Sequence, residues 1–214
     1  MFSKMKAVMA TTAAAGLLAI AGASAADAAT IAPGGSFTGS AGASRLVVTS
    51  GTGIPLNCTT STGAASITAG TFTPPATVGT ITPAFSSCIG PSGFAFTVTC
   101  SAANLWLTGS PVAGTTAGEL RNINCLVTFN ALACSGRITG TVQGSYTNPV
   151  GTTAARLTIL AAGQSLTTSA STCPAAILPN GAAADFGAPG AGSTGIANLT
   201  YVLGGSGTTH PVVS

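Results

Sequence analysis

Polar and apolar residues alternate along much of the chain, a pattern typical of β-strands with one face in water. The clearest case runs from Cys134 to Thr147. Its even positions hold Cys, Gly, Ile, Val or Tyr, whereas its odd positions hold Ser, Thr, Arg or Gln. Residues 94–100 and 122–130 alternate similarly, with one exception at Leu126. Beyond residue 25 no segment keeps a helical period over three turns, so the pattern predicts an all-β protein.

Further strands are predicted where similar runs lie between Gly, Pro and Asn residues, at 44–49, 54–58, 65–72, 79–85, 104–108, 155–161 and 195–203. About ten short strands with one-sided alternation predict a single-domain antiparallel β-sandwich or a closed barrel. We assign residues 44–204 to this β domain. Residues 26–43 are expected to be a partly flexible N-terminal lead-in, and residues 205–214 a C-terminal tail.

One hairpin can be placed in register. "LVTF" and "CSGRITG" are predicted to be its two arms, joined by the four-residue loop 130–133. In this register Phe129 faces Cys134, and Cys125 faces Ile138. Cys125 and Cys134 are then four residues out of register, about 14 Å apart at ~3.4 Å per residue. A disulfide needs Cα atoms within about 7 Å, so these two cysteines are not expected to pair.

The first 25 residues have the three parts of a secretory signal peptide. Lys4 and Lys6 give a positive start, an Ala-rich apolar run follows, and "ASA" at 23–25 is a small-residue cleavage site. The apolar run is too short and too rich in alanine for a transmembrane anchor. We expect cleavage near Ala25 and a secreted protein, located outside the cell or in the cell envelope.

Removing this segment changes the charge. The whole chain carries +3, but both lysines lie in the predicted signal peptide. Four arginines and three acids then leave +1: Arg45, Arg121, Arg137 and Arg156 against Asp27, Glu119 and Asp185. No basic patch is available for a nucleic acid or an anionic membrane surface, and no later segment reads as a transmembrane helix.

Six cysteines in an exported chain predict three disulfides, for which fifteen connectivities exist. Cys100, Cys125 and Cys134 fall on the apolar faces of their strands, where structural sulfurs are buried. Cys100 and Cys125 also bracket a predicted hairpin formed by "NLWLTG" and "GELRNI". Among the connectivities we favour the sequential set, Cys58–Cys88, Cys100–Cys125 and Cys134–Cys173.

Several segments resemble a group of uncharacterised secreted proteins of actinobacteria: "IPLNCTTSTGAASITAGT", "ITPAFSSCIGPSGFAFTVT", "LWLTG", "CSGRITGTVQGSYTN", "STCPAAILPNGAAADFGA" and "ANLTYVL". The resemblance covers most of residues 53–203. Four cysteines recur in that group, matching Cys58, Cys88, Cys134 and Cys173, and Cys100 and Cys125 are an additional pair. This agrees with the sequential connectivity. The group has no established activity to transfer.

Residues that could carry chemistry are few. The chain has one histidine, His210, and its cysteines lack C-x-x-C spacing, so we expect no metal site and no cofactor. Acid–base catalysis could draw only on His210, Asp27, Glu119 and Asp185. Glu119 and Arg121 are expected to form an exposed ion pair, and no nucleophile motif supports a catalytic set. We therefore expect no enzyme and no catalytic residue.

One set of residues leaves a binding site open. Gly136, Gly140 and Gly144 recur on the inward side of one strand, where glycine provides room. They could let neighbouring groups pack closely, bend the strand to close a barrel, or form an apolar ligand groove. The aromatic members of such a groove would be Trp106, Phe94 and Phe96. By itself, Trp106 is more typical of a half-buried strand residue than of a ligand-stacking one.

Three functions remain. The first is a non-catalytic structural, surface or adhesion-type protein of the envelope or extracellular space. The second is a carrier or binding module for a small apolar ligand, and the third is a subunit of an envelope pore. The sequence leaves the oligomeric state open.

Overall fold

The computed structural model describes residues 27–48, 53–204 and 210–214. Their regular structure is β throughout, apart from two short 3-10 helices, Pro91–Gly93 and Asn130–Leu132. The chain closes into an eight-stranded barrel with extra strands and three disulfides, which confirms the predicted fold class. The predicted signal peptide, residues 1–25, lies outside the described residues.

In chain order the strands of the described residues are β1 (Ala29–Ala32), β2 (Gly35–Ala41), β3 (Ser44–Val48), β4 (Ile54–Ile67), β5 (Gly70–Phe72), β6 (Ala76–Ile89), β7 (Ala95–Cys100), β8 (Ala103–Leu107), β9 (Thr115–Phe129), β10 (Cys134–Thr147), β11 (Arg156–Ile159), β12 (Leu166–Ser169), β13 (Ala183–Pro189), β14 (Ile196–Ala197), β15 (Leu199–Gly204) and β16 (Val212–Val213).

Four strands run the length of the barrel, with 14 residues in β4, β6 and β10 and 15 in β9. They form two antiparallel pairs, β4 with β6 and β9 with β10. The short strands expected at 54–58 and 79–85 are parts of β4 and β6. β4 also includes residues 65–67 of the strand expected at 65–72, and it continues between these segments through Gly63, which sequence reasoning treats as a strand break.

Shorter strands lie end to end beside the long pairs and close the barrel twice. We call β3, β7, β12 and β13 the disulfide half, because with the four long strands they form one closed circuit around the three disulfides. We call β2, β8, β11 and β15 the capped half. They form a second circuit with the same long strands.

The hairpin of β9 and β10 has the predicted register. Phe129 pairs with Cys134, and Cys125 with Ile138. The loop is the 3-10 helix Asn130–Leu132, followed by Ala133 in the left-handed conformation at φ 46°. β10 spans residues 134–147, as its alternation predicts.

Disulfides join Cys58 to Cys88, Cys100 to Cys125 and Cys134 to Cys173, the sequential set that the sequence favours. Two of the bonds link residues directly opposite each other on adjacent strands, Cys58 with Cys88 and Cys100 with Cys125. These positions bring the Cβ atoms close enough for a bond without moving the backbone.

A β-bulge interrupts β9 and β10 where β10 changes its neighbour from β12 to β11. Gly140 pairs with Ile123, but Val142 pairs with Leu120, so β9 carries one extra residue. Asn122 lies in this bulge and adopts the left-handed conformation, at φ 59°. The bulge shifts the alternation of β9, and both Leu120 and Ile123 therefore contribute to the interior of the barrel.

A separate three-stranded sheet in the order β16-β1-β5 covers the end of the capped half. Ile31 and Val213 from this sheet pack with Val78 and Leu107 in a second apolar cluster. The expectation of a lead-in at 26–43 is therefore wrong for residues 29–41, which form β1 and β2. Small residues dominate this stretch, and its strands are held by backbone pairing rather than by a strong apolar pattern.

Candidate functional site

The six residues predicted to line an apolar groove do not come together. Phe96 lies in the disulfide half and packs its ring on Phe129, with centroids 5.2 Å apart. Phe94 packs at the edge of the same core. Trp106 lies on β8 in the capped half, opposite Glu119 on β9. β7 and β8 lie end to end along β9, with Cys100 opposite Cys125 and Leu107 opposite Gly118, so Trp106 is ten residues further along the barrel wall than Phe96.

The glycine stripe of β10 is occupied by neighbouring groups. A Cβ on Gly136 would lie 2.6 Å from the Leu178 side chain, and one on Gly140 would lie 2.0 Å from the Ser165 carbonyl oxygen. A Cβ on Gly144 would lie 2.7 Å from the Thr158 carbonyl oxygen. Gly140 also adopts φ 139° at the bulge. The stripe therefore provides close packing and curvature instead of a groove.

The interior of the barrel contains an apolar cavity of about 90 Å³. Side chains from both halves line it, among them Leu56, Ile81, Phe96, Leu120, Val127 and Ile138. An engineered cavity of about 150 Å³ holds benzene, and a pocket for a drug-sized ligand has about 300–1,000 Å³. The cavity is thus smaller than either.

Two half-buried phenylalanines form part of the wall of this cavity. The rings of Phe85 and Phe186 meet edge to face, with centroids 5.7 Å apart. The backbone of Phe186 is held by the side chain of Gln164, which donates from Nε2 to the Phe186 carbonyl and accepts from its N–H at 2.8 Å. The Gln164 side chain therefore makes the two backbone hydrogen bonds to Phe186 that a neighbouring strand would otherwise make, at the place where the two halves meet.

A second cavity, of about 60 Å³, lies in the capped half beneath β16. Tyr146, Pro211 and Val213 line it together with Thr116. Thr116 is fully buried, and its hydroxyl has no hydrogen-bond partner. Burial raises the pKa of Tyr146, which donates its hydroxyl hydrogen to the Pro211 carbonyl.

The other tyrosine is held inside the barrel. Tyr201 on β15 is 3% exposed and shares a hydrogen bond with Ser61, which is fully buried. Burial raises the pKa of Tyr201 to about 12, although the bond to Ser61 acts in the opposite direction. The phenol stays neutral at physiological pH and serves as a hydrogen-bonded part of the core.

Glu119 and Arg121 form the expected ion pair, with Arg121 Nε 2.6 Å from Glu119 Oε2. The guanidinium of Arg121 also lies 4.2 Å from the centroid of the Trp106 ring. This three-residue arrangement occupies the outer face of the capped half and stabilises the indole by a cation–π contact. Sequence reasoning found the ion pair and the hairpin of β8 and β9 but missed the stacking, although the register of that hairpin places Trp106 opposite Glu119.

The remaining titratable candidates lie on separate elements. Asp185 is on β13, His210 precedes β16, and Asp27 precedes β1. Within the described ranges no three His, Cys, Asp or Glu residues cluster in a way that could hold a metal ion. In the same part of the chain no helix is long and apolar enough to cross a membrane.

Comparison with known protein families, with curated proteins and with solved structures finds no match to this chain.

Proposed function

We propose that the protein is a secreted, non-catalytic structural or surface module of the cell envelope or extracellular space. The observation that supports this best is the outer face of the β4–β6 pair. It carries a run of exposed hydroxyl side chains, which we call the hydroxyl face: Thr60, Thr62, Ser66, Thr82 and Ser86. None of these residues is charged.

A neutral hydroxyl surface favours contact with other neutral hydrogen-bonding surfaces. Each hydroxyl both donates and accepts hydrogen bonds, and neighbouring side chains on paired strands stand in fixed register. Thr60 and Ser86 face each other across the two strands and share a hydrogen bond. Beneath this face, the Cys58–Cys88 disulfide links the same two strands. A covalently braced, uncharged surface fits an extracellular structural role.

The test is retention of the purified, oxidised protein on envelope fragments of the producing cells. Because hydroxyl contacts carry no net charge, retention should persist at about 1 M NaCl, where exposed charges are screened within about 3 Å. Thr62→Lys with Thr82→Lys should weaken it by placing two ammonium groups on the hydroxyl face. Gln143→Lys with Thr152→Lys adds the same charge elsewhere and should leave retention unchanged. Equal retention of both double variants would contradict the proposal.

A second candidate is a carrier for a small apolar molecule, and the interior cavity of about 90 Å³ favours it. Its volume limits the occupant to a molecule smaller than benzene unless the wall at Phe85 and Phe186 moves. Native mass spectrometry of protein taken from its own culture medium tests this candidate directly. A reproducible added mass that disappears in an Ile138→Phe variant supports it, and a bare polypeptide mass counts against it.

A pore subunit has the least support. A pore needs a polar, water-filled interior and an outward apolar band. The apolar clusters of the described residues fill the interior, and the hydroxyl face points outward.

A further inference from the structure

Residues 210–214 are bound to the rest of the protein as an added edge strand. On one side, the Thr30 N–H donates to the Ser214 carbonyl at 2.7 Å, and the Ser214 N–H donates to the Thr30 carbonyl at 2.9 Å. In the same register Ile31 pairs with Val213, and Ala32 with Val212. The backbone of β1 thus recognises this segment through strand pairing.

Two side chains from the end of β10 recognise the opposite edge. Asn148 donates from Nδ2 to the Val213 carbonyl at 2.7 Å, and its Oδ1 accepts from the Val213 N–H at 2.8 Å. The Tyr146 hydroxyl donates to the Pro211 carbonyl. Both backbone groups of Val213 and both of Ser214 are therefore paired, on alternate edges, as in the middle of a sheet.

The side chains of the segment also alternate between two environments. Pro211 is fully buried and Val213 is 5% exposed, whereas Val212 is 40% exposed. Main-chain pairing combined with pockets for alternate side chains is the general mode by which an extended peptide adds to a sheet edge. Ile31, Tyr146 and Asn148 together form a groove that fits a Pro-Val-Val-Ser strand, and we call it the strand groove.

Nothing covalent beyond the chain itself holds the segment in place. The three disulfides belong to the disulfide half, and none involves β1, β16 or the end of β10. The packing under the segment is incomplete, since the cavity of about 60 Å³ and the unpartnered Thr116 hydroxyl lie there. Both features lower the free energy needed to release the strand relative to a filled core.

We propose that the strand groove also takes residues 210–214 of a second copy of this chain, in place of the chain's own. The occupant is identical, so every contact made within one chain is available between two. Five residues, Gly-Ser-Gly-Thr-Thr at 205–209, connect the segment to Gly204 of β15. Exchange of identical elements is a low-cost route to assembly: reciprocal exchange gives dimers, and one-way exchange gives open chains. The proposal does not depend on a surface role, because a carrier could assemble in the same way.

Cysteine trapping between full-length chains tests the exchange. Ala32 and Val212 are cross-strand partners with exposed side chains. A chain with Ala32→Cys is mixed with a chain carrying Val212→Cys, incubated and mildly oxidised. We expect covalent dimers joined through positions 32 and 212, at several-fold higher yield than in a control mixture of Ala32→Cys and Val202→Cys. Val202 is 45% exposed but lies on β15, outside the strand groove.

Peptide mapping assigns the new bond and verifies that the three native disulfides persist. A single chain carrying both Ala32→Cys and Val212→Cys should form the bond within chains as well as between them, which verifies that positions 32 and 212 are close enough to bond. Equal dimer yields in the test and control mixtures would overturn the proposal. If Ala32→Cys does not fold, Thr30→Cys and Ser214→Cys provide the neighbouring hydrogen-bonded pair for the same experiment.

Discussion

The two halves of the barrel are held closed by different kinds of bond. In the disulfide half, three covalent bonds join strands and loops that are 25, 30 and 39 residues apart in sequence. The capped half is instead held together by the β16-β1-β5 sheet and by hydrogen bonds from polar side chains such as Tyr146 and Asn148. The four long strands pass through both halves, so one barrel has a covalent and a non-covalent end.

The difference predicts an order of opening. A disulfide that closes a loop of this length contributes about 3–4 kcal/mol, whereas a hydrogen bond contributes about 1 kcal/mol net. Local opening should therefore begin at the capped half, and the disulfide half should persist until global unfolding. Residues 210–214, which we propose exchange between copies, lie in the capped half, where local opening should cost the least free energy.

Reduction of the three disulfides should have the largest effect on the free energy of unfolding. It should also remove the difference in stability between the two halves. Loss of three disulfides removes about 9–12 kcal/mol, an amount comparable to the whole stability of a typical domain. We expect the reduced protein to unfold at 25 °C, as measured by far-ultraviolet circular dichroism and thiol counting. A reduced form with a thermal midpoint close to that of the oxidised form would show that the strand network alone suffices.

Truncation in the core of the disulfide half should come next. Phe129 is fully buried and packs on Phe96, so Phe129→Ala should lower the free energy of unfolding by about 3–5 kcal/mol. Val213→Ala under the cap removes a smaller buried side chain and should cost about 1.6 kcal/mol at ~0.8 kcal/mol per CH₂ group. Guanidinium denaturation with disulfides intact measures both. A loss for Val213→Ala as large as that for Phe129→Ala would contradict the expectation that the cap contributes less.

Alkaline pH should act selectively on the capped half, because both tyrosines of the chain are there, Tyr146 at the end of β10 and Tyr201 on β15. Burial raises the pKa of Tyr201 to about 12, above the value near 10 expected in the unfolded chain. A raised pKa stabilises the fold fully below about pH 10, and this contribution is lost as the pH rises towards 12. The loss should approach roughly 1.4 kcal/mol per pH unit.

Short-time unfolding measurements between pH 9 and 12 test this expectation. Tyr201→Phe should unfold with a flatter pH dependence than the unmodified protein, because its buried ring cannot ionise. An unchanged slope would place the alkaline sensitivity elsewhere, for example in the disulfides.

The smallest effect is expected from Asn148→Ala. The change removes the two hydrogen bonds to the backbone of Val213 and should cost about 1–2 kcal/mol. Amide exchange should accelerate at Val213 and Ser214, while the amide of Cys125 in the disulfide half keeps its protection. Asn198→Ala, which removes a side-chain contact to the Ala161 N–H, serves as the control and should leave Val213 unchanged. Uniform acceleration across both halves would indicate one cooperative unit.

Strands with strong alternation were predictable from sequence in both halves, whereas β2, β12 and β13 were not. β10, its hairpin register and the position of Cys125 follow from strict alternation, because no inward residue of β10 is strongly polar and every outward one is polar. In β2 the only large apolar residue is Phe37, so the sequence carries little signal for a strand. Its pairing with β4 and β15 is set by closure of the barrel.

The candidate site could be predicted only in part. Alternation correctly placed Phe96 and the inward glycines on buried faces. A sequence pattern does not show, however, which residues of other strands and loops pack against those glycines. The strand groove was missed because it depends on Asn148 and Tyr146 meeting residues more than sixty positions later. β12 and β13 were also missed, since "LTTS" and "AADFGAP" are short and rich in small residues.

Gln164 has a consequence for how barrels of this kind can vary. One carboxamide gives Phe186 both hydrogen bonds that a whole neighbouring strand would otherwise supply. A barrel can therefore keep eight strands along its whole length while different chain segments form some of those strands at its two ends. In a designed barrel, new strand segments could replace the original ones at one end only. A single glutamine could then bond the backbone groups left unpaired between the new and the original segments.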